Sequence, residues 1–207
     1  MSIYAINKVY NLYLGGYKMV KTKISGPAIF MYCVIIICLI TASVCFTMYY
    51  KNICTKYSVL LTGIITFTTM YHFWARIIMG NVSKLFKKHI NYKQKFFKER
   101  KFEERLYKFL RVKEWKGKAL TYNPESFSLK EHSLEEIANT MCKSEVDHWI
   151  NEIISLTTIL FTFIWPGLPL AFIITAIAAM IFDAQFILIQ RYNRPRVLKI
   201  LEKEKEK

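Results

Sequence analysis

The sequence predicts an all-α membrane protein with about four transmembrane helices and basic amphipathic helices at the membrane interface. Three observations carry this expectation. Of 207 residues, 53% are hydrophobic and 15% aromatic, yet the formal net charge is +15, a combination foreign to one soluble domain. The apolar residues fall into a few long blocks, with Lys and Arg between and after them. The basic stretches also alternate with the blocks so that all of them fall on one side of a membrane.

Residues 1–26 form an N-terminal segment carrying Lys8, Lys18, Lys21 and Lys23. No charged residue occurs in 27–50, and the Ile/Val/Leu/Phe-rich stretch 29–47 is long enough to cross a ~30 Å hydrocarbon core. It exceeds a signal-peptide core and lacks a compact cleavage site, so it reads as a retained anchor. The connector 51–56 leads to a second apolar run, 57–75, which contains His72 and is closed by Arg76. Two transmembrane helices are therefore expected within 27–80.

Residues 81–132 form a basic cytoplasmic segment. Its stretch 82–118 has fourteen Lys or Arg against four Glu, with Leu85, Phe86, Ile90, Phe96, Phe97, Phe102, Leu106, Phe109 and Leu110 interleaved at nearly helical spacing. This predicts amphipathic helices on the membrane surface. Periodicity stops at Tyr122-Asn123-Pro124-Glu125-Ser126, a loop. Ser133 followed by Glu136 is a capping box that should start a helix.

That helix is expected to run unbroken from 134 to 165, inside a unit spanning 133–190 that has no charge over 153–182. The punctuation Trp165-Pro166-Gly167-Leu168-Pro169 predicts a turn between two antiparallel helices. The first arm is short for a full crossing, so the pair is either a spanning or a re-entrant hairpin. Residues 191–207 form a basic tail ending in a solvated Glu-Lys alternation. The positive-inside rule then places both termini in the cytoplasm, with the chain multi-pass in the cell membrane.

The five cysteines (Cys33, Cys38, Cys45, Cys54, Cys142) form no paired framework and read as free thiols. Four histidines are too few for di-iron histidine boxes, and no Cys/His cluster has zinc spacing, so no metal site and no cofactor is expected. Gly-rich phosphate loops and the Gly-x-Ser-x-Gly elbow are absent. So is His-x4-Asp: five residues beyond the histidines stand Ile77, Gln94, Ile137 and Ile153. The basic segment sits beside anionic lipid, which serves as its partner in place of nucleic acid.

Candidate chemistry sits on three helices. Glu145, His148 and Glu152, spaced i, i+3, i+7, share one helical face where the chain enters the membrane. A carboxylate one turn from an imidazole can orient a general base, while the bland alternative is an interfacial turn decorated with charges. His72 and Arg76 share a face of the second span, as a site or as a packed imidazole with a snorkelling arginine. Asp183, two turns inside the last span, needs a partner in hydrocarbon, and His72 and Arg76 are the candidates. Arg191, Arg194 and Arg196 are planar forks suited to phosphate or to topology and headgroup contact alone.

The stretches 112–118 (Val-Lys-Glu-Trp-Lys-Gly-Lys), 143–149 (Lys-Ser-Glu-Val-Asp-His-Trp) and 190–197 (Gln-Arg-Tyr-Asn-Arg-Pro-Arg-Val) resemble, in order and spacing, the glycosyl-4,4'-diaponeurosporenoate acyltransferase family. The resemblance covers roughly the second half of the chain. It implies esterification of a sugar hydroxyl of a glycosylated carotenoid by a fatty acyl group, the last step toward staphyloxanthin. Glu145, His148 and Trp149 match the family's Glu-x-x-His-Trp, and Arg191, Tyr192, Asn193, Arg194, Pro195 and Arg196 match its C-terminal run.

The expected function is thus a membrane-bound acyltransferase acting on a glycosylated isoprenoid or other glycolipid. His148, oriented by Glu145, deprotonates the hydroxyl of a lipid-linked sugar, which attacks the thioester of a fatty acyl donor such as acyl-CoA. Arg191, Arg194 and Arg196 hold the donor's phosphates, Tyr192, Asn193, His72 and Asp183 line the substrate site, and Arg76 can stabilise the oxyanion. The rival is a non-catalytic membrane protein that binds anionic lipid or a partner through its basic segment.

Overall fold

The computed structural model describes residues 26–119 and 124–206. Lys8, Lys18, Lys21, Lys23, Tyr122 and Asn123 lie outside the described residues. Among the described residues the chain is helical throughout, with no strand. Six α-helices, α1 (Gly26–Tyr50), α2 (Tyr57–Phe86), α3 (Glu103–Phe109), α4 (Val112–Trp115), α5 (Leu134–Thr157) and α6 (Pro169–Lys205), are joined by loops and short 3₁₀ turns. Two antiparallel hairpins, α1–α2 and α5–α6, form the body, and α2 packs on both α5 and α6.

α1 ends in a Schellman motif. Asn52 sits in the left-handed region (φ 58), so its N–H reaches the Tyr49 carbonyl at 3.1 Å and the Ile53 N–H reaches the Met48 carbonyl at 2.9 Å. Asn tolerates this conformation better than most residues, and the last carbonyls of the helix are satisfied. Across the hairpin the close approach falls at Gly63, where a Cβ would lie 3.0 Å from the Phe46 ring and 3.1 Å from Cys45 Cβ. In α2 the hydroxyls of Thr62, Thr66, Thr68 and Thr69 donate to carbonyls one turn back at 2.7–2.8 Å, which removes the penalty of polar groups in apolar surroundings.

α1 and α6 are long and apolar enough to cross a membrane. Both present exposed isoleucines along their length, including Ile29, Ile36, Ile37 and Ile40 on α1 and Ile174, Ile177 and Ile181 on α6. Such continuous apolar surface needs an apolar surround. Of the four expected spans, these two meet the length and hydropathy of a crossing among the described residues. α2 continues to Phe86, past the expected boundary at residue 80, and within it the Arg76 guanidinium folds back onto the His72 carbonyl (2.8 Å) and crosses to the Ala179 carbonyl of α6.

The expected unbroken helix over 134–165 also differs. Both halves of the Ser133/Glu136 capping box are present, and α5 starts there. It changes to a 3₁₀ helix at Thr158–Phe163, where Thr157 and Thr158 hydroxyls donate to carbonyls three residues back (Ile154, 2.6 Å; Ser155, 2.7 Å), drawing the backbone into the tighter winding. The turn then forms as its sequence predicts. Trp165 stacks on Phe46 (centroids 5.7 Å apart) and donates to the Tyr50 hydroxyl at 3.0 Å, and Pro169 opens α6 at its first turn.

Two further expectations change. α6 does not end at the Arg-rich run. It continues through Pro195 to Lys205, so the basic tail is helical. The basic segment is not a set of continuous amphipathic helices. Asn91 forms an Asx turn to Lys93 N–H (2.9 Å), Arg111 takes a left-handed conformation (φ 50) between α3 and α4, and the segment folds back on the α5–α6 hairpin. There Tyr107, Val112 and Tyr192 form a small core.

Candidate active site

The buried stripe of α5 runs through Ala138, Met141, Cys142, Glu145, Asn151, Glu152 and Ser155, and that of α6 through Phe172, Ala176, Ala179, Asp183, Ile187, Gln190 and Arg194. Both follow the helical period, so the polar residues occupy positions that would otherwise be core. Ala176 and Ala179 let the helices approach closely. Where the stripes face each other they form two ionic layers, one turn apart on α5.

The inner layer is centred on Asp183, which is 0% exposed. One oxygen receives the Arg76 guanidinium, and the other receives His148 Nδ1–H at 2.9 Å and lies 3.5 Å from Asn151 Nδ2. Arg76 also donates to the Ala179 carbonyl (3.1 Å) and lies over the Phe182 ring. The His148 ring stacks on Phe186 with centroids 4.7 Å apart and planes 11° apart. With Nδ1–H given to a carboxylate, the lone pair resides on Nε2. The His148 side chain is 20% exposed, so the imidazole is held firmly yet not sealed. His72 sits above this layer, its Nδ1 3.5 Å from Ser155 Oγ.

The outer layer is centred on Glu145, also 0% exposed. Arg194 donates to it at 2.6 Å, Arg191 at 3.4 Å and Trp149 Nε1 at 3.4 Å. Arg194, 2% exposed, spends its remaining donors on the Phe97 carbonyl (2.9 and 3.2 Å). Arg191 donates to Glu103 (3.3 Å) and to the Phe96 carbonyl (3.0 Å). Glu103 is buried and accepts the Tyr107 hydroxyl at 2.8 Å. Two carboxylates face two guanidinium groups, so the layer is neutral and its hydrogen bonds are satisfied, which is what a buried charge cluster requires. Burial and the neighbouring Glu103 push the Tyr107 hydroxyl above its usual pKa.

The ten candidate residues therefore divide into groups. Arg76, Asp183 and His148 meet in the inner layer, and His72 lies beside it. Glu145, Arg191 and Arg194 meet in the outer layer. Tyr192, Asn193 and Arg196 lie apart, with Lys116. The expected orientation of His148 by Glu145 is corrected: no hydrogen bond joins them among the described residues, because both Glu145 oxygens are taken by arginines and the Trp149 indole, and Asp183 orients the imidazole instead. The expected phosphate contacts of Arg191 and Arg194 are corrected too, since the donors of both are turned inward onto protein acceptors. Arg76, expected as an oxyanion donor, uses its terminal nitrogens on Asp183 and on backbone carbonyls.

Glu103, Asn151 and the Phe96 and Phe97 carbonyls were not anticipated. Glu103 sits in the charged run Glu99-Arg100-Lys101-Phe102-Glu103-Glu104-Arg105, where nothing separates a buried carboxylate from solvated ones, and a backbone carbonyl carries no side-chain signature. Asn151 had a signal, being one turn beyond His148 on the same face. Among the described residues no three His, Cys, Asp or Glu side chains converge to hold a metal.

A model of the glycosyl-4,4'-diaponeurosporenoate acyltransferase family matches residues 93–203, more than half of the chain. The matched region contains both ends of the His148–Asp183 pair and the whole outer layer, and it leaves out His72 and Arg76. No curated protein and no solved structure matches.

Proposed function

Since the chain belongs to the glycosyl-4,4'-diaponeurosporenoate acyltransferase family, we propose that it is a membrane-bound acyltransferase that esterifies a sugar hydroxyl of a glycosylated isoprenoid or other glycolipid with a fatty acyl group. The observation that carries the chemistry is the 2.9 Å bond from His148 Nδ1 to Asp183 Oδ1, which leaves Nε2 as the basic nitrogen. His148 Nε2 takes the proton of the acceptor hydroxyl as the oxygen attacks the thioester carbonyl. The carbon–sulfur bond breaks as the tetrahedral intermediate collapses, and the imidazolium returns the proton to the leaving thiolate. Asp183 fixes the tautomer and stabilises the imidazolium, and Arg76 and Asn151 hold Asp183 in place. Glu145, with Arg191 and Arg194, fastens the basic segment to the hairpin that carries His148.

In this reading α1 and α6 cross the membrane, and α2 and α5 complete the bundle. On this reading the C-terminal ends of α2 and α6 and the N-terminal end of α5 share one side. That side collects the basic segment and the Arg-rich run, which favours the cytoplasm and brings the site to a surface of anionic lipid.

The test is a comparison of lipid extracts from cells expressing wild type, His148→Ala or no protein. A missing acylated glycolipid in the last two, with His148→Ala inserted in membranes at wild-type level, is the expected result. An unchanged set of lipids in all three would reject an enzyme and favour the non-catalytic reading.

A further inference from the structure

Tyr192 carries two cations on one ring. Lys116 Nζ lies 4.7 Å from its centroid and Arg196 Cζ 3.7 Å from it. Both cations are fastened: Lys116 Nζ donates to Asn193 Oδ1 at 2.6 Å, and Arg196 Nη1 donates to the Tyr192 carbonyl. The ring beneath them is buried edge-on against Tyr107 (centroids 5.3 Å apart) and packed on Val112, Trp115 and Leu188. The platform is therefore fixed by the core that joins α3 and α4 to α6.

This cluster differs from the two ionic layers in lacking an anion. Among the described residues none of Lys113, Lys116, Lys118 and Arg196 forms an ion pair, and Glu114 forms none with them. Burial first, and then the nearby Arg196 and Lys113, draw the Lys116 ammonium below its usual pKa, and an anion bound there would offset the effect of the two neighbouring cations. A shallow, open groove lined by Trp115, Lys118, Ala119 and Gln185 lies on the Trp115 side of the platform. The groove shares no residue with either ionic layer. Lys116 and Arg196 on the ring, with Lys113 near Lys116 and Lys118 lining the groove, suit a phosphate ester, with its two or so charges and several acceptor oxygens.

We propose that Lys116 and Arg196, with Lys113 and Lys118, form a binding site for a phosphate-ester group. On the reading of the chain as an acyltransferase, that group belongs to the phosphate-bearing carrier of the acyl thioester. Lys116 then replaces the inward-turned Arg191 and Arg194 as the main phosphate contact.

The experiment measures binding of coenzyme A to the full chain in neutral phosphatidylcholine nanodiscs, by calorimetry, with inorganic pyrophosphate as competitor. Wild type binds and pyrophosphate displaces it. Lys116→Met, which keeps most of the aliphatic stem, weakens binding about tenfold or more, the worth of one charge-assisted hydrogen bond. Lys116→Arg restores most of it, and Arg196→Gln weakens it comparably. A second arm uses nanodiscs containing short-chain phosphatidic acid. If only its binding falls in Lys116→Met, the phosphate site stands and a lipid headgroup fills it. Equal affinities of wild type and Lys116→Met for both probes would overturn the proposal. Acyl transfer by wild-type membranes is assayed separately. Transfer with binding insensitive to Lys116 leaves the enzyme reading intact without this site, and Lys116-dependent binding without transfer does the reverse.

Discussion

Glu145→Ala tests the structural role assigned to the outer layer. Glu145 is fully buried and is the acceptor for Arg194 at 2.6 Å and Arg191 at 3.4 Å. Its removal leaves Arg194 with the Phe97 carbonyl and no carboxylate, and Arg191 with Glu103 and the Phe96 carbonyl, so one buried positive charge loses its counter-ion. Breaking a buried pair from one side costs about 3–5 kcal/mol. At roughly 2–4 °C per kcal/mol for a chain of this size, the melting temperature should fall by about 6–20 °C. Tryptophan fluorescence during thermal unfolding in detergent reads this directly. Glu145→Gln, which keeps an acceptor oxygen but loses the charge, should fall between wild type and Glu145→Ala. Acyl transfer per folded molecule, measured below the variant's melting range, should stay within a few-fold of wild type. A melting temperature within about 2 °C of wild type together with abolished transfer would refute the assignment and return Glu145 to the chemistry.

Other expectations follow from local geometry. Gly63→Leu drives a side chain into Phe46 and Cys45 at 3.0–3.1 Å, so it should destabilise the α1–α2 hairpin by about 1–3 kcal/mol, seen as a lower midpoint of thermal unfolding. Ser133→Ala removes the α5 cap and should speed amide exchange in its first turn about fivefold. The Ser133 amide and hydroxyl hold the Glu136 carboxyl below its ordinary value of 4.5. A depressed folded pKa means that the cap's contribution is present above that value and is lost as pH falls through the lower folded one. Exchange of these amides, corrected for intrinsic rate, should therefore rise on acidification below about pH 4.5 in wild type and much less in Glu136→Gln.

The parts of this fold written in local chemistry were legible in the sequence. Ser133 with Glu136, the Pro-Gly turn after Trp165 and the charge-free stretch at α1 each depend on neighbours in the chain. Arg76, one of two partners foreseen for Asp183, follows from the cost of a lone carboxylate among apolar residues. The pairing of His148 was not legible. Glu145 and Asp183 are both carboxylates near the imidazole, and spacing favours the one on the same helix. The choice is made across the hairpin, where the long stems of Arg191 and Arg194 point back along α6 and take Glu145, leaving His148 to Asp183. The 3₁₀ ending of α5 had a local cause in Thr157 and Thr158, yet their back-bonding competes with packing, and sequence does not say which prevails.

A double-mutant cycle on acyl transfer tests the central claim most directly. His148→Ala should lower turnover by about 10²–10⁴-fold. Asp183→Asn, which keeps an oxygen for Arg76 but presents an amide to Nδ1 and so enforces the wrong tautomer, should also cause a large loss. The double variant should be no slower than His148→Ala alone, because the two side chains act as one unit. Losses that multiply in the double variant, or wild-type turnover in folded Asp183→Asn, would contradict the account.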